Sequence, residues 1–298
     1  MALLTSSDVV KFNYKDMDVL ISDVLDQTPF LQVLAARQVA GDVFKYTKIT
    51  GNPSVGYRAV NAGIDNEKAS YAEVQCDLKY IDASFFVDVA AAKIDKRGAN
   101  NIMGVEARAH LRAAMRQIED NIFQTVSGGF AGLADQSNLN GLSDQQVVDG
   151  GGSGATCSSV YAVRMGTEDL ELLWGEDGVI SVGEQQMVHH DTGSGKFWAY
   201  AHDISAYCGL KIGGIDSVQR LSNVDSLNDD KIADLISNAP IGKKPTHLVM
   251  NRDGERQLRA RRTATNITGA PAPFVTEAFG LPVVVTDAIP TATSESLS

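Results

Sequence analysis

No proline interrupts residues 99–127, and across that stretch Ala107, Leu111, Met115, Ile118, Ile122 and Val126 recur at steps of three and four. That spacing lines one stripe of an α-helix with apolar side chains, so the sequence predicts a helix over Ala99–Ser127, about 28 residues and on the order of 40 Å long. It forms a rigid beam around which the rest of the chain must be arranged. Arg108, Arg112 and Arg116 stand at i, i+4 and i+8 on one flank. Like charges so placed cost a few tenths of a kcal/mol per pair unless acids meet them. Either solvent covers the row, with Glu119 and Asp120 in reach of Arg116, or a neighbouring subunit does.

The 298 residues allow about two domains and an ample core. Upstream, Lys15 to Leu25 has helical spacing that Thr28-Pro29 closes. Strand-like alternation follows in Val43 to Ile49, Tyr71 to Lys79 and Ser84 to Ala91. Between these, Val55 to Ala69 is polar and broken by glycine, too poor in large apolar residues to bury both faces of a hairpin, so it reads as a projecting arm. Residues 128–154 are glycine-rich and loop-like, separating two halves. Short strands are then expected at Ser159 to Arg164, Leu170 to Trp174, Val179 to Val182, Lys196 to Tyr200 and Ser217 to Leu221, with a turn at Gly175-Glu176-Asp177-Gly178. From Asn228 the pattern is α/β: helices over Asp229 to Ser237 and Arg252 to Arg262, strands over His247 to Met250 and Leu281 to Thr286.

Candidate chemistry is sparse. His189-His190-Asp191 offers three metal ligands in a row, but adjacent strand residues face opposite ways, so a polar strand end is the better reading. Asp191-Thr192-Gly193-Ser194 matches an aspartic-protease loop in a single copy, where two carboxylates must share a proton. Gly193-Ser194-Gly195-Lys196 lacks the first glycine of a phosphate loop, His190 standing in its place, and Phe197 replaces the Ser/Thr. Gln136 to Gly141 lacks the acidic ligands of a calcium loop. His110, His202 and His247 are solitary. Cys76, Cys157 and Cys208 are scattered without CxxC spacing, which fits a reduced, intracellular protein. No apolar run approaches the ~18 residues of a membrane span. No cofactor or metal is expected.

The net charge of −11 argues against a surface built to neutralise phosphates. Residues 241–266 depart from it: Lys243, Lys244, Arg252, Arg256, Arg259, Arg261 and Arg262 oppose Asp253 and Glu255, a local +5 that leaves −16 elsewhere. Such a helix could touch nucleic acid, but without interleaved aromatics, pairing with acidic neighbours in an assembly is favoured.

Several stretches together resemble a known family. Thr28-Pro29-Phe30-Leu31 through Val39-Ala40-Gly41, then Tyr46 and Gly56-Tyr57-Arg58-Ala59-Val60-Asn61, is similar to the N-terminal arm and extended loop of tailed-bacteriophage major capsid proteins of the Hong Kong 97-type fold. The helix over 99–127 resembles their spine helix. Ser159 to Gly166, Cys208 to Ile212, Arg220 to Asp225, His247 to Arg252, and Phe279-Gly280-Leu281-Pro282-Val283 through Asp287-Ala288-Ile289 follow in the order of a podovirus-like branch. The resemblance implies an α+β protomer. Its parts would be an N-terminal arm (1–41), an extended loop (42–80), a peripheral domain with the spine helix (81–130), a glycine-rich connector (131–158), a β-rich module (159–224) and an axial-type α/β domain (225–298).

It further implies a structural protein rather than an enzyme. Hexamers and pentamers of it would form an icosahedral head around double-stranded DNA, bound without sequence specificity, with portal, scaffolding and possibly decoration proteins as partners and no membrane. It would reside in the virion and assemble in the host bacterial cytoplasm. The arm starts almost at Met1, so no fused scaffolding segment is expected, and Lys45, Lys48 and Lys68 match no cross-linking motif. The residues expected at subunit contacts are Tyr57 and Arg58 on the loop, Arg108, Arg112 and Arg116 on the helix, and Arg256, Arg259, Arg261 and Arg262 near the axial region. The competing functions are a hydrolase centred on Asp191 and a nucleic-acid-binding protein using 241–266.

Overall fold

A computed structural model of the chain describes residues 27–63, 67–92, 99–124, 126–133, 146–175, 180–191, 195–214, 216–266 and 270–292. The helix expected over Lys15 to Leu25, the calcium-like loop at 136–141 and the turn at 176–178 lie outside them. The helices are α1 (Pro29–Val33), α2 (Val89–Ala92), α3 (Ala99–Phe123), α4 (Asp229–Ser237) and α5 (Arg252–Ala264). The strands are β1 (Ala36–Gln38), β2 (Val43–Gly51), β3 (Ser70–Asp77), β4 (Lys79–Asp82), β5 (Phe85–Asp88), β6 (Val147–Asp149), β7 (Ser158–Val163), β8 (Leu170–Trp174), β9 (Ser181–Val182), β10 (Gln186–Asp191), β11 (Lys196–His202), β12 (Ile204–Ile212), β13 (Val218–Val224), β14 (His247–Met250), β15 (Glu277–Ala278) and β16 (Leu281–Val285).

α3 is the predicted beam, four residues shorter at its C-terminus. The helix stops because the chain folds back onto its last turn. Gly128 adopts a left-handed φ of 78°, the Leu133 N–H donates to the Ile122 carbonyl at 2.7 Å, and Asn121 Nδ2 donates to the Phe130 carbonyl at 3.0 Å. A Cβ on Gly132 would fall 2.0 Å from the Asn121 carbonyl oxygen, so only glycine fits that return. Its buried stripe, Met103, Ala107, Leu111, Met115, Ile118 and Ile122, carries the main core.

Three sheets surround the beam. One runs β1-β8-β12-β4 with β9 beside β12. The second is an antiparallel β10-β11-β5. The third runs β15-β16-β14-β7-β13-β6, with parallel pairs at β14/β16 and β13/β6. β7 and β8 are buried along their whole length, hence continuous apolar runs rather than alternation. One face of the third sheet (Tyr161, Val163, Val249, Val284) joins the α3 core. The other (Val160, Ala162, Leu221, Leu248) packs under α4 and α5 in a second core. The stretch 159–224, read from sequence as one β-rich module, therefore contributes strands to all three sheets. Its β7 pairs on one side with β13 and on the other with β14 of the α/β region.

Candidate assembly surfaces

β2 and β3 form a hairpin of their own, in register from Val43 opposite Asp77 to Gly51 opposite Ser70. The chain beyond Gly51 forms its tip, where Val55, Tyr57 and Val60 are almost wholly exposed. Polar bonds shape the tip from within: Ser54 Oγ donates to Glu67 at 3.0 Å, and Arg58 Nη1 donates to the Ala62 carbonyl at 3.2 Å beside a left-handed Asn61. The expected pair thus divides. Tyr57 is free to meet a partner, whereas Arg58 is turned back on its own loop.

The root of the hairpin is held by charges far apart in the chain. Glu171, 1% exposed, lies 2.6 Å from Arg37 and 3.5 Å from Lys211. Lys211 Nζ also donates to the Thr167 carbonyl at 2.5 Å and stands 5.6 and 5.5 Å from the Phe44 and Tyr46 rings on β2, close enough for cation–π attraction. Tyr46 Oη donates to the Ile212 carbonyl at 2.6 Å. Burial pushes the Glu171 carboxyl up, opposed by Lys211 and Arg37. Burial likewise raises the Tyr46 and Cys76 groups and moves the Cys208 thiol up to about 12, so neither thiol is nucleophilic at neutral pH.

On α3, Arg108 and Arg116 are exposed and Arg112 is half-buried. Arg116 lies 4.0 Å from Asp120, the ordinary i,i+4 pair. It lines a groove of about 570 Å³ with Thr28, Arg252, Glu255 and Asp287. Beneath that groove Glu119, 2% exposed, accepts from the Leu31 N–H at 3.4 Å and from the Thr286 hydroxyl. One carboxyl thereby ties α1 and the end of β16 to the beam.

Burial lifts Glu119 from 4.5 to about 7, with the Thr286 and Leu31 bonds acting against it. The folded chain therefore holds a proton that the unfolded chain sheds. The stability this contributes is complete below about pH 4.5 and declines as pH rises to about 7. At 1.36 kcal/mol per unit the decline amounts to roughly 3 kcal/mol. Glu119→Gln keeps an acceptor for Leu31 and should flatten this part of the profile, leaving the variant more stable than the natural chain above neutrality. Chemical denaturation at a series of pH values checks it; parallel profiles would exclude Glu119 as the titrating group.

The arginines of α5 are largely engaged within the chain. Asn251 caps the helix by accepting from the Gly254 N–H at 2.8 Å, Asp253 and Glu255 sit in its first turn and Arg261 and Arg262 in its last, as the helix dipole favours. Arg262 makes a fork to Asp229 with bonds of 2.6 and 3.1 Å. Arg259 donates to the Ala272 carbonyl at 3.0 Å, Arg261 to Ser226 Oγ at 3.0 Å, and Arg256 lies 3.4 Å from Asp253. Lys243 meets Asp216 at 3.7 Å, and Arg252 pairs with Asp287. The local +5 is not an open cationic stripe.

Asp191 lies 3.6 Å from Lys196, its cross-strand neighbour. His189 meets the edge of Trp198 at 4.6 Å, while His190 stacks on Phe86 at 4.5 Å on the other face. Among the described residues no group of three His, Cys, Asp or Glu could hold a metal ion.

A family model described as "Major capsid protein GP7" matches residues 20–292. The chain belongs to this family of capsid proteins. Among solved structures, bacteriophage Epsilon15 is similar at 18% identity over 88% of both chains, with a TM-score of 0.65. The bacteriophage JBD30 capsid decorated with minor capsid protein trimers is similar at 13% identity over 88% of this chain and 90% of that one, with a TM-score of 0.53. No curated protein sequence matches. At these identities the structural likeness shows the fold, the α+β Hong Kong 97-type capsid fold expected from the sequence. Shell formation, not the hydrolase or the nucleic-acid reading, is the function that family membership supports.

Proposed function

We propose that this capsid protein builds an icosahedral phage head from hexamers and pentamers, without catalytic turnover. The observation that carries this is the β2–β3 hairpin: it is rooted in the body by buried charges and ends in apolar side chains that nothing among the described residues covers. A two-stranded ribbon of this kind is marginal alone, and a neighbouring subunit supplies the missing contacts. Residues 1–41 act as the arm, 42–80 as the extended loop, 81–130 as the peripheral domain, 131–158 as the glycine-rich connector, 159–224 as the β-rich module and 225–298 as the axial domain. The strong negative charge lets packaged double-stranded DNA slide along the wall. Portal and scaffolding proteins complete assembly in the host cytoplasm, and decoration proteins fit the outer surface.

Arg108, Arg112 and Arg116 meet acids of the next copy. Reversing charge in Arg112→Glu/Arg116→Glu should abolish closed shells while leaving a folded monomer. Circular dichroism and electron microscopy read the two outcomes separately, and normal shells from the double variant would sink the contact.

A further inference from the structure

At the edge of the six-stranded sheet, Phe279 occupies a position that backbone geometry favours for asparagine. Glu277 pairs with Pro282 and Ala278 with Leu281, which leaves Phe279 and Gly280 as a two-residue loop. Their φ values of 53° and 76° give it the left-handed pair of a type I′ turn, where Asn-Gly is preferred and a bulky side chain is a steric outlier. Packing does not hold Phe279 there, because it is 58% exposed. Nearby Phe274 is 68% exposed and carries the Arg259 guanidinium 4.5 Å from its ring centroid. Exposed aromatics beside ordered arginines have the composition of an interface centre.

The sheet order β15-β16-β14-β7-β13-β6 puts this flank at one edge and β6 at the other. The covering helices follow the same order, α5 over β7 and α4 over β13. α4 and the turn before it expose Asp225, Asp230 and Asp234, and Ile241 in the turn that follows is 90% exposed. The aromatic, cationic flank lies at the β15–β16 turn and acidic α4 lies toward the β6 end of the same sheet, so the two are complementary head to tail between copies, and a heterologous contact whose rotation closes forms a ring.

We propose that Phe274, Phe279 and Arg256 of one copy seat against Asp225, Asp230, Asp234 and Ile241 of the next, and that this is the ring contact of the capsomer. The inference rests on the shell-forming reading and assigns two of its faces. Phe279→Asn relieves the turn, so monomer stability and assembly should move in opposite directions. The variant should melt no lower than the natural chain yet need at least tenfold more protein to form capsomers by native mass spectrometry and shells by electron microscopy. Arg256→Glu should block assembly, and Arg256→Glu/Asp234→Arg should restore it; the added cation in the neighbour cannot repair repulsion from Asp253 on the same helix, so rescue marks a contact between copies. Normal assembly by Phe279→Asn, or no rescue by the paired swap, would overturn the contact. So would Arg256→Glu shells that close normally but retain less DNA. A natural chain that forms neither capsomers nor shells would instead overturn the shell-forming reading, and this contact with it.

Discussion

Replacing Glu171 by leucine is expected to destabilise the monomer by about 3–5 kcal/mol, the range for breaking one side of a buried ion pair. The reason is the partner left behind. Lys211 is 6% exposed, and without the carboxylate its ammonium retains the Thr167 carbonyl and the Phe44 and Tyr46 rings, none of which carries a neutralising charge. Arg37, at the solvent edge of the cluster, can turn outward. Lys211→Met in the same background removes the stranded charge while keeping most of the aliphatic stem, so Glu171→Leu/Lys211→Met should recover much of the loss. A urea-denaturation cycle of the two single variants and the double measures the coupling directly. Additive losses would mean that the two side chains do not act as a pair. Because Lys211 lies against β2, the Glu171→Leu variant should also expose the hairpin root, read as faster amide exchange at Tyr46 and Cys76.

This cluster illustrates what the sequence could and could not disclose. β8, α4 and β14 have the bounds the sequence predicts, because each is delimited by local chemistry: Asn228, for instance, caps α4 by accepting from the Lys231 N–H at 2.9 Å. The arginine row on α3 is legible for the same reason, since i,i+4 spacing is local. Glu171 and Lys211 become neighbours only through the pairing of β8 with β12, and nothing near Lys211 announces that pairing. β12 shows no strand-like alternation in the sequence because Gly209 interrupts it, a residue whose added Cβ would lie 3.3 Å from the Asp77 carbonyl oxygen. β10 has no fully buried position, so only its His189-His190-Asp191 end reads as strand. Glu119 was visible as a partner for Arg116, yet it points inward to Leu31 and Thr286, and helix spacing alone cannot tell which acid of a Glu-Asp pair is buried. The acceptors that engage the arginines of α5 within the chain, Asp229, Ser226 and Ala272, lie on other elements, so that engagement is invisible to a count of charge along the chain.

Excising the hairpin tip should separate folding from assembly most completely. Gly51 and Ser70 are already opposite one another, so replacing residues 52–69 with Asn-Gly closes the ribbon by a turn its register accepts. Within the excised stretch Ser54 bonds Glu67 and Arg58 bonds Ala62, and the root cluster at Glu171 and Lys211 is untouched. The shortened chain should therefore unfold within about 1 kcal/mol of the natural one, the scale of a surface change. Assembly depends on what the tip covers in a neighbour. Val55, Tyr57 and Val60 are exposed in the monomer, and fully burying a side chain of this size contributes roughly 1.5–3 kcal/mol. At tenfold per 1.4 kcal/mol, losing even two such contacts weakens each subunit junction by about a hundredfold, and a closed shell repeats that loss at every junction. Sedimentation velocity should then find a folded, soluble monomer at concentrations where the natural chain forms shells, and Tyr57→Ala should fall between the two. Closed particles from the shortened chain would place the fastening of the shell elsewhere, on the α3 arginines, the sheet edges or the exposed Ile49 and Tyr71 of the remaining ribbon.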